Sequence, residues 1–405
     1  MAKLIYISEQ NKLCVKKHTL PGTISGNDFA TFLHQLPGAK IIEKNSSLGN
    51  TASYSYNDLP KDTEVQNKNI PFEELKYNYK NNIYQDREII SKYYSRILNC
   101  NTKPIGKVSE VHAVKGEKGS IYYQAMQHCG SIWFCQICMY KLMKARAEEL
   151  QKQLKIYRDK GKIALFITFT LQHDYYDRLD SLYQLLMSAF DYANKNRKWS
   201  KYREYFKYLT TSEVLYGLHG WHTHLHSVFI TDNKHKKDID IFINLYKDKL
   251  REHGLMINEH TVVVEEWSDK IDNMQDYLFK SKLEEELTSG GLKKSGAGKT
   301  FFELVREHEK YDKQIEEYVL VMKGKHQYHR SRDFFNDIKV KTDNEILKDD
   351  KVAEVIFRIP IKIYYDIKDK GIALRLLNEY EFRGLSGAIK LLELYDCDTS
   401  FIETG

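Results

Sequence analysis

Long apolar runs are missing from this sequence. No stretch approaches the roughly 18 consecutive apolar residues that a membrane helix needs, so no membrane partner is expected. The amino terminus, MAKLIYISEQ, lacks the basic-then-apolar pattern of a secretory signal, and the expected compartment is therefore the cytoplasm. No internal repeat is evident. A strong excess of either charge is also absent: 62 Lys and Arg against 56 Asp and Glu leave +6, which suits a nucleic-acid partner without demanding one. Cysteine is scarce, six in 405 residues, which is too few for a disulfide-built fold of this size.

What is present is enough apolar residue, 42%, to bury a sizeable core, and a length that suggests two or three structural units. Four of the six cysteines, Cys100, Cys129, Cys135 and Cys138, crowd into one segment, and in a reducing compartment such clustering points to metal. Cys135-x-x-Cys138 is spaced for one tetrahedral Zn2+, with Cys129 as third and Cys100 as fourth ligand. His128 or His112 could substitute, and ordinary buried thiols are the alternative. Cys14 and Cys397 lack such company.

Residues 1–75 hold Gly, Ser and Asn clusters and little periodicity, which reads as a weakly structured extension. Residues 76–150 carry the cysteines and lead into LMKARAEELQKQLKIYRDKG, whose Leu142, Ala145, Leu150, Leu154 and Tyr157 recur at helical spacing before Gly161. IALFITFTL (163–171) is a strand buried on both faces, and a helix covers LDSLYQLLMSAFDYANKN. YLTTSEVLYG and GWHTHLHSVFI then form a β-hairpin about GLHG. DIDIFINLYKDKLREHG is an amphipathic helix, HTVVVEEW a strand, and DKIDNMQDYLFKSKLEEEL a further helix. This order predicts an α+β sandwich with a mainly antiparallel sheet over 151–300. Residues 301–405 alternate helices (ELVREHEKYDKQIEEYVLVMKG, GIALRLLNEYE, GAIKLLELY) with one strand-like run, EVIFRIPIKIYY.

The hairpin carries chemistry. A strand has side-chain period two, so His222, His224 and His226 share one face while Trp221, Thr223 and Leu225 take the other. A turn centred on Leu218 and His219 sets Glu213 directly opposite His224 on the imidazole face. Neutral imidazoles with a carboxylate form a ligand set for Mg2+, Mn2+ or Zn2+. Histidines on a solvated strand face are the bland alternative. Downstream, Tyr277 and Lys280 are three apart and Asn273 is four before the tyrosine, so all three share a helical face. A phenol beside an ammonium is a nucleophile pair, although among 29 tyrosines the spacing alone says little.

In this order the motifs resemble those of the rolling-circle plasmid replication initiators (plasmid Rep proteins) of the HUH endonuclease superfamily. FITFTLQHD, with Thr168 and Thr170, resembles the first motif; EVLYGLHGWHTHLHSVF the second, with His224-Leu225-His226 as its His-hydrophobic-His element; DYLFKSK the third, with Tyr277 as nucleophile and Lys280 beside it. HCGSIWFCQIC resembles an upstream cysteine motif and EEYVLVMKGKHQYHRSRDF a downstream basic-aromatic segment, so the likeness spans roughly residues 90 to 395. The resemblance implies an HUH-type central antiparallel sheet flanked by helices, a zinc-ribbon-like element before it and a mostly helical part after it for DNA binding or self-association. It implies a metal-dependent nickase and strand transferase, using Mg2+ or Mn2+, that cuts single-stranded or hairpin origin DNA through a 5′-phosphotyrosine. Host helicase and polymerase would be its partners, and homo-oligomers are possible. A transposase of the same superfamily and a non-catalytic zinc-containing DNA-binding regulator are the rival readings.

One position departs from the pattern. Relatives carry a Glu four residues before the tyrosine to activate water for terminating hydrolysis, and here that residue is Asn273, whose amide accepts no proton at neutral pH. Asp272 and Asp276 project off the tyrosine's face, while Glu284 shares it two turns on. Two stretches interleave cations with rings as a single-strand surface does: 194–208, with Arg197, Lys198 and Trp199, and 323–335, with Lys325, Tyr328, Arg330 and Arg332. GLKKSGAGKT (291–300) fails the spacing of a phosphate loop and reads as a flexible basic surface loop.

Overall fold

The computed structural model describes residues 72–117, 119–266, 298–348 and 351–402. All of them belong to one unit, Lys68–Gly405. The expectation of weak structure for residues 1–75 falls almost wholly outside them. A helix that the sequence reading did not anticipate, α1 (Phe72–Ser91), starts inside that stretch. Its Ile90 is buried, and its buried Arg87 donates to the carbonyls of Ile97 and Cys100, tying it to the cysteine segment.

β1 (Glu110–Gly116) and β2 (Ile121–Tyr123) follow, then α2 (Gln136–Asp159), the helix expected from its apolar spacing. Leu142, Leu150, Leu154 and Tyr157 are its buried stripe, and Gly161 takes a φ of +71° just past its end, a conformation that favours glycine. β3 (Ile163–Thr170), α3 (Leu179–Lys195), β4 (Lys207–Gly217), β5 (Gly220–Thr231), α4 (Ile239–Glu252) and β6 (Val262–Glu266) continue the chain. After residues 267–297 come α5 (Phe301–Arg306), α6 (His308–Met322), β7 (Tyr328–Arg330), β8 (Val352–Pro360), α7 (Ile361–Asp369) and α8 (Ala373–Leu394).

Five strands form an antiparallel sheet in the order β6-β3-β5-β4-β7, which makes the histidine strand β5 central. Helices flank it on both faces. On one, Phe169 and Phe229 pack against Phe190 of α3 and Phe242 of α4. On the other, Phe166, Val228 and Ile230 share a cluster with Leu150, Leu154 and Tyr157 of α2. Because side chains alternate along β5, Val228 and Ile230 continue the face that carries His222, His224 and His226. Helix α2 thus covers one end of that face, and the half-buried histidines occupy the other.

The C-terminal run read as one strand is half strand and half helix. β8 ends at Pro360, whose missing N–H cannot extend a ladder, and Ile361–Asp369 turns helical to bury Tyr364 and Ile367. β8 pairs with β1, so the cysteine-bearing segment and the C-terminal segment build one three-stranded sheet, β2-β1-β8, with α7 and α8 in its core. The helix expected over 303–324 is two: Thr300 and Glu303 form a capping box that starts α5, and α6 begins anew at His308. The two last helices join into α8 across a kink at Gly384, where φ is +65°. No helix among the described residues is long and apolar enough to cross a membrane.

Candidate functional site

The hairpin register is the one the symmetric turn predicts. Gly217 pairs with Gly220 and Glu213 with His224. Gly220 is required twice over: its φ is +81°, and a Cβ there would sit 2.8 Å from the carbonyl oxygen of Tyr175. That close approach seats the loop after β3 against the hairpin end. Trp221, Thr223 and Leu225 are buried on the opposite face, as alternation requires.

On the histidine face the rings run in a row, with centroids 4.1 Å apart from His222 to His224 and 5.8 Å from His224 to His226. Nε2 of His226 is 3.3 Å from Oε2 of Glu213, and its Nδ1 is 3.2 Å from Oγ1 of Thr168 on the neighbouring strand. A hydroxyl both donates and accepts, so Thr168 serves either tautomer of His226. Both ring nitrogens of His224 are buried without a hydrogen-bond partner. Burial, and secondarily the neighbouring His222, push the His224 imidazolium down to about 3, and burial followed by His173 lowers His222. These imidazoles are neutral at physiological pH and keep a lone pair.

An orphaned buried imidazole between two others and beside a carboxylate is costly unless something binds it. A divalent cation could do so, since imidazole nitrogens and a carboxylate are donors that Mg2+, Mn2+ or Zn2+ accepts. The sequence reading missed His173, whose Nε2 is hydrogen-bonded to Nδ1 of His222 and whose Nδ1 is 3.1 Å from the carbonyl of His219. Its only signal was its place in LQHD directly after β3. Tyr277, Lys280 and Asn273 lie outside the described residues, as do Asp272, Asp276 and Glu284.

The four cysteines meet. Cys100, Cys129, Cys135 and Cys138 are all buried, with sulfur atoms within 4.8 Å of one another. The separations of 3.6, 3.4 and 3.8 Å for Cys100–Cys135, Cys100–Cys138 and Cys129–Cys138 are near the edge of about 3.8 Å in a tetrahedron of Zn–S bonds. They are far from a disulfide's roughly 2 Å. Cys135 occupies the N-cap position of α2, without a side-chain cap hydrogen bond, and Cys138 lies in its first turn. Thiol hydrogen bonds from the other three hold Cys100 well below the usual range, while those from Cys100 and Cys129 push Cys138 up, so the four thiols do not ionise together unaided. This cluster could hold a metal such as zinc. His128 adjoins it beside Cys100, whereas His112 bonds to Glu110 on β1.

The two basic-aromatic stretches part company. Trp199 is 1% exposed and packs on Phe206 and Phe242, on the sheet face away from the histidines. It offers no ring to a nucleic acid, and its assignment to DNA binding is corrected: an apolar ring in a helical turn was drawn into the core. Arg197 and Lys198 beside it are exposed. The second stretch becomes β7, and its register sets Tyr328 beside Thr211, which itself pairs with His226. Tyr328 and Arg330 therefore stand on the histidine face. Tyr328 is half-buried under the Arg146 guanidinium, 5.3 Å from its ring centre, while Lys325, Arg330 and Arg332 are exposed. The end of the false phosphate loop is structural: Lys299 bridges to Tyr216 through two main-chain hydrogen bonds, and Thr300 caps α5.

The chain is 25% identical over 146 residues to the protein named "Protein rep" of Streptomyces lividans, a match covering 29% of this chain and 32% of that one. It thus spans about a third of that relative's length. No protein-family model matches, and no solved structure does.

Proposed function

We propose that this chain initiates rolling-circle replication of a plasmid, as a metal-dependent nickase and strand transferase of the HUH type acting on single-stranded or hairpin origin DNA. The single observation that carries the reading is the register that gathers His224, His226 and, from the neighbouring strand, Glu213 on one face of the central sheet. The similarity to "Protein rep" of Streptomyces lividans supports it.

His224, His226 and Glu213, with His222 adjacent, would hold Mg2+ or Mn2+. Such a cation, when bound, polarises a phosphodiester and stabilises the departing oxygen. Thr168 orients His226 from the next strand, and the Glu213 carboxylate balances charge. Tyr277 is the proposed nucleophile: its phenolic oxygen attacks phosphorus, the Oη–P bond forms, the bond from phosphorus to the 3′ oxygen breaks, and the phenol's proton ends on that oxygen. Lys280 offsets the charge of the phenolate or phosphate. Arg330, which stands on this face, would supply a cation for the DNA backbone, with the exposed Arg332 and Lys325 near it in sequence. The four cysteines would hold one Zn2+ that ties α2 to the segments around Cys100 and Cys129.

Incubation with labelled single-stranded origin-like DNA and Mn2+, then a denaturing gel, tests the reading. A covalent adduct that disappears in Tyr277→Phe while DNA binding survives is the expected result. An adduct that persists in the Phe variant assigns the nucleophile elsewhere, and no adduct with any origin-like strand leaves a binding protein without catalysis.

A further inference from the structure

We infer that His173 is a positioning residue that fixes His222 in the tautomer able to ligate the cation, and so makes His222 a member of the metal site. This rests on the metal-face reading above.

The tautomers follow from the hydrogen bonds. The carbonyl of His219 only accepts, so Nδ1 of His173 carries the proton that reaches it over 3.1 Å. Neutral His173 then has its lone pair at Nε2. That lone pair faces Nδ1 of His222, which must therefore be the protonated nitrogen of its ring. The remaining nitrogen of His222, Nε2, is left as the lone-pair donor. A ring anchored through one nitrogen with the other kept basic is the arrangement by which proteins orient a ligating histidine. Without His173 the ring would distribute its proton between both nitrogens and rotate.

Two features show that the loop is built to hold His173 there. Gly220, lacking a Cβ, lets the main chain of Tyr175 reach the hairpin end. Within the loop the Asp177 carboxylate accepts from the main-chain N–H of Asp174 at 2.6 Å, and that of Asp174 accepts from Tyr175 at 2.7 Å, so the segment is braced by its own side chains. His222 and His173 rings stand 4.6 Å apart in an edge-to-face contact.

The test uses the full chain in three variants, His173→Ala, His173→Gln and His222→Ala, with their thermal melts as a check on folding. Mn2+ affinity is measured by calorimetry, and the His222 tautomer by nitrogen NMR of 15N-histidine-labelled, Mn2+-free protein. His173→Ala should weaken Mn2+ about 10-fold and scramble the His222 tautomer. His173→Gln, whose amide oxygen can still accept from Nδ1 of His222, should restore most of both. The double variant His173→Ala/His222→Ala should bind no worse than His222→Ala alone, since one residue acts through the other. Additive losses, or a His222 tautomer unmoved by His173→Ala, overturn the inference. His224→Ala separates this from the wider reading: Mn2+ binding that survives it sinks the metal face itself, while the tautomer measurement, made without metal, still judges His173.

Discussion

Glu213 stands directly across the hairpin from His224, and its Oε2 lies 3.3 Å from Nε2 of His226. One carboxylate thus reaches diagonally to the second histidine of the pair. If it ligates the same cation, removing its charge while keeping its shape should be costly. Glu213→Gln is expected to weaken Mn2+ binding roughly 10 to 100-fold with little change in melting temperature. An unchanged Mn2+ titration would leave the site to the histidines.

Acid should expose the burial of His224. Its folded-state value is pushed below the ordinary 6.5 to about 3, first by burial and then by His222. The unfolded chain therefore binds the proton more readily. The stability that neutral His224 contributes is complete above about pH 6.5 and is lost progressively as pH falls toward about 3. In metal-free protein, the drop in Tm between about pH 7 and pH 5 should be smaller for His224→Gln than for the native chain. Equal drops would mean that His224 is protonated without resistance.

The cysteine cluster predicts one firmly held zinc. Elemental analysis of protein purified without added metal should find about one Zn2+ per chain, and Cys135→Ser/Cys138→Ser should lose it and melt earlier. Undiminished zinc in that variant would assign the metal to other ligands.

Trp199 and Arg330 should separate stability from binding. Trp199→Ala removes a ring that is 1% exposed and is expected to cost about 3–5 kcal/mol, read by denaturant unfolding. Arg330→Ala should leave stability nearly unchanged but weaken single-stranded DNA and flatten the salt dependence of binding. A salt slope identical to that of the native chain would remove Arg330 from the DNA path.

Asn273 bears on how the proposed reaction would end. Hydrolysis of a phosphotyrosine needs a base within reach of water, whereas joining to a DNA 3′-OH needs less help. Strand transfer is expected to be efficient and hydrolytic release slow. Asn273→Glu should speed release by about 100-fold or more. Rapid loss of the adduct from the unmodified protein would point to Glu284 or Asp276 as the base.

The hairpin and its register were legible in the sequence because their information is local. Period-two alternation and a glycine-bounded turn set the register, and the register alone sets Glu213 opposite His224. The cysteine cluster was legible for a similar reason: only a few thiols exist, and Cys-x-x-Cys at the start of a helix has one compact geometry. What the tertiary structure decided depends on residues far apart in the chain. Trp199 reads like a stacking ring and is core, because burial is settled by Phe242 more than forty positions away. His173 gained its role only when the loop after β3 met the hairpin end, a contact permitted by a missing Cβ at Gly220. β8 left its own neighbours to pair with β1, since strand partners answer to hydrogen bonding and shared apolar faces, which a linear pattern does not encode. Tyr328 reached the histidine face in the same way, through β7 adding to the edge of β4.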